Sequence, residues 1–250
     1  EGEIIAEVLG TAGLKSDQWV YFYRDIPTIC FYKKYFLLKG SRIRPFSEFA
    51  AHVASGLPPV TYIDPHFGIR DGGKKNGNDD HPPIDVRKAQ QLAAEVYNIL
   101  AAGPAWSRTM LIITYDEHGG FYDHVSPPLA VPPWSGQARH FSRYGVRVPT
   151  LVVSPWVGRG SVVGRNTAGG DDVVFDHTSI IKTILTRFAP SADLSRYGKR
   201  VEQARDLSVL LTERTPRTDH TPIPAIPLGP PSPELRVAAG GPSFAVAPVG

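Results

Sequence analysis

The sequence has few or none of three features that would identify its class of protein: cysteines, long apolar runs and long basic runs. Its 250 residues include a single cysteine, Cys30, so no disulfide can form within the chain. No apolar run approaches the roughly 18 residues that a membrane-spanning helix requires. The 27 lysines and arginines are scattered without a long basic run, which argues against a nucleic-acid-binding stripe. Cys30 itself lies in an apolar stretch, and we interpret it as a core residue rather than a nucleophile.

The remaining composition is that of a globular protein, with 42% hydrophobic and 20% charged residues. The net charge of +3 and the isoelectric point near 9.0 are mildly basic. They fit an anionic substrate, peripheral contact with an anionic membrane surface, or ordinary solubility. The chain begins with EGEIIAEVLG, which reads as a helix entered midway through a longer protein, so a signal peptide cannot be assessed. Compartment and oligomeric state stay open.

Helical and strand patterns alternate along the chain. Helices are predicted at 4–14, 46–55, 85–102 and 177–188, the last with Asp176 as its N-cap, and strands at 18–23, 57–65, 109–115 and 147–153. The last two strands are continuous apolar runs, the pattern of strands covered on both faces. The alternation predicts an α/β fold with a largely parallel sheet.

Two stretches depart from this pattern. The loop 67–83 is rich in Gly, Asn and Asp, and loops of that length without internal structure are usually functional or disordered. Beyond it, residues 213–250 are rich in Pro, Ala and Gly and show no periodicity. We therefore predict one domain over 1–212 and a poorly ordered tail over 213–250.

Ionisable residues are concentrated where the predicted strand 109–115 ends. Asp116 and Glu117 follow it directly, and ligands of open α/β sheets collect beyond the carboxyl ends of the strands. Adjacent carboxylates repel each other unless a cation or protons neutralise them, and their oxygens suit Mg²⁺, Ca²⁺, Mn²⁺ or Zn²⁺. Gly119 and Gly120 then permit a tight turn. The alternative interpretation is a solvated acidic turn.

Further candidates are three pairs of an acid and a histidine: Asp80 with His81, Asp123 with His124, and Asp176 with His177. In the Asp123 pair the carboxylate either orients the imidazole towards a site or forms a salt bridge that fixes the loop. The other two pairs are equally compatible with helix-entry caps. From the residues alone, no single histidine is assigned a function.

Five stretches taken in order resemble the phosphoesterase family. They are NDDHPP at 78–83, W-x-x-T at 106–109, TYDEHGGFYDHV at 114–125, GVRVPT with SPW at 145–150 and 154–156, and DHTSI at 176–180. That family includes the non-specific phospholipases C and related acid phosphatases, within the alkaline phosphatase-like superfamily. The resemblance extends over about 1–188, and TYDEHGGFYDHV is its most specific part. Plant-type phospholipases C also have aromatic segments similar to the stretch around QWVYFYRDIP.

The resemblance implies an alkaline phosphatase-like α/β/α sandwich, incomplete at its N-terminus. It implies that Asp116 and Glu117 hold a divalent metal ion, and that His81 contacts the substrate phosphate or protonates a leaving group. His177 is implied as a further active-site histidine. Four more residues belong to the motifs without an assigned role beyond supporting the site: Asp80, His118, Asp123 and His124. The serine or threonine nucleophile of the family is expected upstream of Glu1.

The expected activity is metal-assisted hydrolysis of phosphate esters. The first hypothesis is a phospholipase C that cleaves phospholipids to diacylglycerol and a phosphorylated headgroup, with this chain alone expected to be inactive if its nucleophile lies elsewhere. The second is an acid phosphatase that acts on soluble monoesters. The third, from another class, is a non-catalytic remnant that binds a lipid or a protein partner.

Overall fold

Three parallel strands form the centre of the fold: β1 (Trp19–Tyr23), β2 (Ile43–Pro45) and β3 (Val60–Ile63), in the order β2-β1-β3. The computed structural model describes residues 10, 12–13, 17–31, 42–69, 76–164 and 173–228. The predicted helix at 4–14 lies almost entirely outside these residues. The strands predicted at 18–23 and 57–65 are confirmed as β1 and β3.

Side chains of β1 alternate between two hydrophobic clusters because successive strand residues point to opposite faces. Trp19 and Tyr21 pack with Leu185 and Val201 on one face. On the other face Val20 and Phe22 pack against helix residues, among them Phe49, Val53, Val96 and Leu100. Phe22 and Leu185 are fully buried. The predicted α/β fold with a parallel sheet is therefore confirmed, with helices on both faces of β1.

Within the described ranges, five α-helices accompany the strands: α1 (Phe49–Ser55), α2 (Arg87–Ala102), α3 (Ala138–Phe141), α4 (His177–Phe188) and α5 (Lys199–Gln203). A 3₁₀ turn at Phe46–Glu48 leads into α1, and α1 ends at Gly56, whose φ of +111° favours glycine. At the start of α4 the Asp176 carboxylate accepts the N–H of Ser179, and the Ser179 hydroxyl accepts the N–H of Asp176. This capping box confirms the predicted N-cap.

The two apolar strands differ from the prediction. β4 (Leu111–Thr114) pairs antiparallel with β5 (Thr150–Val153) in a separate two-stranded sheet, and Leu151 is 59% exposed. The expectation that both strands are covered on both faces is therefore wrong for the described residues. An apolar run of strand length identifies a strand, but its pairing direction and cover depend on distant segments. Only Leu111 and Val153 reach the cluster beneath α1 and α2.

The described part of the predicted tail, residues 213–228, is largely exposed but tied to the body. Asn98 of α2 donates to the carbonyl of Ile223 at 2.9 Å and accepts the N–H of Ile223 at 2.8 Å. Glu213 donates its N–H to the Trp156 carbonyl at 3.0 Å. These hydrogen bonds attach 213–228 to the body, while the domain boundary and the poor order of the tail stay predictions. Residues 229–250 lie outside the described part.

Within the described ranges, the longest helix is α2, and none of the helices combines the length and apolarity that a membrane span requires.

Candidate active site

Asp116 and Glu117 leave β4 at the end where the Thr114 and Thr150 hydroxyls bond each other at 2.8 Å. Both acidic side chains are exposed. Asp116 Oδ1 accepts the N–H of Glu117 at 3.0 Å, and Glu117 Oε2 accepts the N–H of Gly119 at 2.9 Å. The second oxygen of each carboxylate has no hydrogen-bond partner among the described residues. The pair thus presents two free oxygens from one turn.

Gly119 and Gly120 make that turn in the left-handed region, with φ of +66° and +77°. A Cβ on Gly119 would lie 3.2 Å from the ring of Phe121. Both observations confirm that the Gly-Gly pair serves a tight turn. His118 Nδ1 lies 3.4 Å from Glu117 Oε2, so the imidazole and the carboxylate are neighbours in the turn.

Tyr115 joins three of the stretches that the sequence singled out. Its hydroxyl donates to Asp80 Oδ2 at 2.6 Å, and its carbonyl bonds His177 Nε2 at 2.7 Å. The hydrogen bond to Asp80, together with partial burial, raises the pKa of Tyr115 to about 12. Asp80 adopts φ of +61°, a left-handed conformation that is uncommon outside glycine and collects at functional sites. The predicted residues Asp80 and His177 therefore both contact Tyr115, the residue between β4 and Asp116.

Each of the two predicted catalytic histidines bonds a carbonyl oxygen through one ring nitrogen. His177 uses Nε2 towards Tyr115, and His81 uses Nδ1 towards the carbonyl of Pro82 at 2.8 Å. Because a carbonyl can only accept, the bonded nitrogen carries the proton. Nδ1 of His177 and Nε2 of His81 have no hydrogen-bond partner in the part of the chain that the structure describes, and both residues are exposed.

Asp123 pairs with Arg147 rather than with the carboxylate turn. Arg147 donates from Nε and a terminal nitrogen to the two Asp123 oxygens at 2.7 and 2.8 Å. This bidentate contact is the largest factor holding the pKa of Asp123 down at about 2. His124 Nδ1 lies 3.7 Å from Asp123 Oδ1, with a side chain that is 83% exposed. Asp123 thus makes its close ion pair with Arg147, and both interpretations of its pairing with His124 stay open.

Two acidic residues at the carboxyl edge of the parallel sheet escaped the sequence analysis. Asp25 follows β1, is 5% exposed and accepts the N–H groups of Ile26, Phe67 and Ile69. Burial by itself raises the pKa of Asp25, but these N–H groups outweigh it, so the pKa lies below its ordinary value. Asp64 follows β3 and accepts the N–H and hydroxyl of Thr28 at 2.8 and 2.9 Å. The strand-end rule applied to Asp116 would have identified both.

Asp25 acts on the loop that carries Asp80. Asp25 binds the backbone just after His66, and His66 makes two hydrogen bonds with Asn78. The His66 N–H donates to Asn78 Oδ1 at 2.6 Å, and the Asn78 N–H donates to the His66 carbonyl at 2.7 Å. Asn78 stands two residues before Asp80. One oxygen each of Asp79 and Asp80 is buried without a partner in the described structure. The loop is thus anchored at Asn78, and the two residues that follow carry polar atoms without a partner in the described structure.

The donor set at the turn fits part of a site for a hard cation. Asp116 and Glu117 supply anionic oxygens, the ligands that Mg²⁺, Ca²⁺ and Mn²⁺ prefer. Within the described ranges, no group of three or more His, Cys, Asp or Glu side chains is arranged to hold a metal ion. The described residues therefore offer two ligands, fewer than such a cation takes.

Comparison with known proteins matches residues 6–189 to the family model described as Phosphoesterase family. Non-specific phospholipase C6 of Arabidopsis thaliana is 38% identical over 209 residues, which cover 79% of this chain and 39% of that protein. Phospholipase C B of Mycobacterium tuberculosis is 35% identical over 158 residues, covering 56% of this chain and 27% of that protein. The chain thus spans less than half the length of these relatives.

The family match includes every stretch that meets at the candidate site, from the loop of Asp80 through the turn of Asp116 to the start of α4 at His177. Its length also exceeds half of the chain. This protein therefore belongs to the phosphoesterase family.

Proposed function

We propose that this protein contributes the carboxylate and histidine groups of a phosphate-ester hydrolase of the phospholipase C type. The observation that carries the proposal is the position of Tyr115, which joins Asp80 and His177 at the strand end that presents Asp116 and Glu117. Acidic and imidazole groups gathered at one strand end are what phosphoryl transfer requires: charge stabilisation and proton transfer.

The relatives define the substrate class that we propose. Two of them are a plant non-specific phospholipase C and a bacterial phospholipase C. We therefore expect a phospholipid substrate and the products diacylglycerol and a phosphorylated headgroup. Helices on both faces of a parallel sheet are compatible with the alkaline phosphatase-like sandwich, and we propose that architecture for the complete fold.

His81 and His177 are proposed to manage protons at the scissile ester. The hydrogen bonds to carbonyls fix which nitrogen of each ring is free, so the free nitrogen can hold a proton or accept one. A protonated His81 Nε2 would donate to the departing alkoxide oxygen. His177 Nδ1 would orient a phosphoryl oxygen, because α4 and the Tyr115 carbonyl fix its ring.

Asp116 and Glu117 are proposed to hold a divalent cation through their free oxygens. Such a cation would supply positive charge against the phosphoryl oxygens. Asp123 and Arg147 take no part in this binding; they hold the loop that follows the turn. Two carboxylates alone bind hard cations weakly, since affinity rises with the number of ligands and the rigidity of the site.

Calorimetric titration with Mg²⁺, Ca²⁺, Mn²⁺ and Zn²⁺ tests the cation site separately from turnover. In the full-length protein we expect binding of at least one of these ions, and its loss in Asp116→Asn and in Glu117→Gln. Asp193→Asn is the matched control, because Asp193 is an exposed carboxylate that caps a short 3₁₀ helix. Equal binding by the Asp116 variant and the control would refute this cation site.

Hydrolysis of p-nitrophenyl phosphorylcholine and of p-nitrophenyl phosphate by the full-length protein tests the reaction. We expect the diester to be cleaved in the presence of metal, and Asp116→Ala to remove that turnover. Faster cleavage of the monoester would favour the acid phosphatase hypothesis. Near-normal diester turnover by Asp116→Ala would contradict the proposed role of this residue.

A further inference from the structure

A group of exposed apolar side chains lies directly after the carboxylate turn. We call residues 121–144 the aromatic loop; its exposed large apolar side chains are Phe121, Tyr122, Leu129, Trp134 and Phe141. Tyr122 and Leu129 are 91% and 73% exposed. Large apolar side chains gathered on one exposed segment mark an interaction surface, whereas single ones need no explanation.

The aromatic loop is held in a defined shape despite this exposure. Leu129 and Arg143 form an antiparallel bridge between its two arms. Arg200 of α5 donates to the carbonyls of Val131 and Phe141 at 2.9 and 2.6 Å. The loop therefore presents its apolar side chains from a supported backbone, which lowers the entropic cost of binding a partner.

Charge is distributed unevenly around the aromatic loop. Residues 124–170 contain none of the chain's 24 acidic residues. The same interval contains five arginines: Arg139, Arg143, Arg147, Arg159 and Arg165. Arg147 is paired with Asp123, and Arg159 lies 3.8 Å from Asp219. Within the described ranges, Arg139 and Arg143 have no acidic partner, so the loop combines exposed apolar groups with uncompensated positive charge.

We propose that the aromatic loop docks on the surface of a phospholipid bilayer that contains anionic lipid. Aromatic rings with a polar edge favour the interface between headgroups and acyl chains, and nearby arginines are attracted to anionic headgroups. An anionic bilayer complements both the exposed apolar side chains of the loop and the positive charge of Arg139 and Arg143, which have no acidic partner among the described residues.

Docking at this surface places lipid next to the candidate site. Phe121 donates its N–H to the His118 carbonyl at 3.2 Å, and its ring lies against Gly119 in the carboxylate turn. A headgroup beside Phe121 would therefore lie against the turn that carries Asp116 and Glu117. This consequence rests on the proposed phospholipase function, but docking itself requires no turnover.

Co-sedimentation of the full-length protein with vesicles tests the surface. The vesicles are phosphatidylcholine with and without phosphatidylglycerol, and binding is measured against lipid concentration. We expect tighter binding to the anionic vesicles, and binding at least about tenfold weaker for Tyr122→Ser with Leu129→Ser, because each removes apolar area from the interface. The control is Phe31→Ser with Ile69→Ser, since these side chains are 69% and 58% exposed outside the loop.

The electrostatic part is tested with one arginine. Arg139→Gln should weaken binding to anionic vesicles by about fivefold and leave binding to pure phosphatidylcholine unchanged. Arg196→Gln, in an exposed 3₁₀ turn, is its control. Added salt should reduce the difference in binding between anionic and pure phosphatidylcholine vesicles, since it screens charges at the membrane surface.

Three results would overturn the proposal: no binding of the wild type to either vesicle, unchanged binding of the Tyr122 and Leu129 double variant, or a dimer of the wild type that this variant dissociates without any vesicle binding. The last would assign the surface to a second copy of the chain. Circular dichroism checks that each variant is folded.

Vesicle binding without hydrolysis of p-nitrophenyl phosphorylcholine would refute the hydrolase and leave the surface standing. Hydrolysis without vesicle binding would refute the docking surface and leave the hydrolase standing.

Discussion

The Tyr115 hydroxyl donates to Asp80 Oδ2 at 2.6 Å across 35 residues of sequence. Asp80 holds a left-handed backbone conformation, while Tyr115 directly follows β4. This hydrogen bond connects the loop that carries His81 to the residue before Asp116. The candidate site is therefore assembled by a residue to which the sequence analysis assigned no role.

Replacing Tyr115 by Phe should lower the free energy of unfolding by about 1 kcal/mol, because it removes a hydrogen bond to a charged acceptor at a partly exposed position. Urea unfolding followed by fluorescence measures this loss. Tyr122→Phe is the control, since the hydroxyl of Tyr122 has no hydrogen-bond partner among the described residues. Equal unfolding energies for the two variants would contradict the assignment.

The same variant should change the alkaline titration. Tyr115 has its pKa raised from 10.0 to about 12, so its stabilising contribution is complete below pH 10 and is lost as the pH rises through about 12. The difference in unfolding energy between wild type and Tyr115→Phe should therefore shrink across this interval. An absorbance titration of tyrosinate should also lack one late-titrating group in the variant. A difference that stays constant would exclude the hydrogen bond as its cause.

Replacing Asp123 by Asn should make the protein less stable at neutral pH and should matter less in acid. Arg147 lowers the pKa of Asp123 from 3.8 to about 2, so the stabilisation is present above about pH 4 and is lost as the pH falls towards 2. The urea midpoints of wild type and variant should converge over that range. Arg147→Gln should give the same profile, and the double variant should add little, because both residues belong to one interaction.

Replacing Asp25 by Ala should lower the free energy of unfolding by about 3 kcal/mol, because three partly buried N–H groups lose their acceptor. Asp25→Asn should lower the free energy of unfolding by less. The amide oxygen of Asn still accepts the N–H groups of Ile26 and Phe67, whereas the N–H of Ile69 faces the amide NH₂ group. Asp17→Ala, at an exposed position, is the control for chemical denaturation. Identical losses in the Ala and Asn variants would show that the hydrogen bonds of Asp25 do not stabilise this loop.

Replacing Asp176 by Ala should cost about 1 kcal/mol, the usual effect of losing an N-cap. The melting temperature should fall by about 2–4 °C in a protein of this size. Because the next residue is His177, the variant should also loosen the bond between the imidazole and the Tyr115 carbonyl, which the ring resonances report in an NMR spectrum. An unchanged melting temperature with unchanged His177 resonances would exclude the capping role.

Local patterns predicted much of the secondary structure. The strands β1 and β3, the helices α1, α2 and α4, and the cap at Asp176 all follow from periodicity and terminal residues, which act over a few positions. The direction of pairing between β4 and β5 did not follow. Pairing depends on segments 36 residues apart, and the apolar side chains of both strands fit either direction.

For the candidate site, the sequence identified the residues but not their contacts. Asp116 and Glu117 lie at the strand end, as expected, and Asp80 contacts the preceding residue, Tyr115. The connection through Tyr115 could not be predicted, because a tyrosine at the end of an apolar strand is usually a packing residue. Asp25 was overlooked because it stands alone in sequence, although it too follows a parallel strand. The catalytic and metal roles stay predictions.

The two-stranded sheet of β4 and β5 has a dynamic consequence. It is packed at Leu111 and Val153, whereas its other end carries the exposed turn of Asp116. An isolated pair of strands is marginal in water, while β1 lies between two partners inside both clusters. Amide hydrogens should therefore exchange slowest in β1 and faster towards Thr114. Asp116 and Glu117 therefore follow a strand end that opens at a lower free energy than β1, and a ligand bound by them would stabilise its closed state.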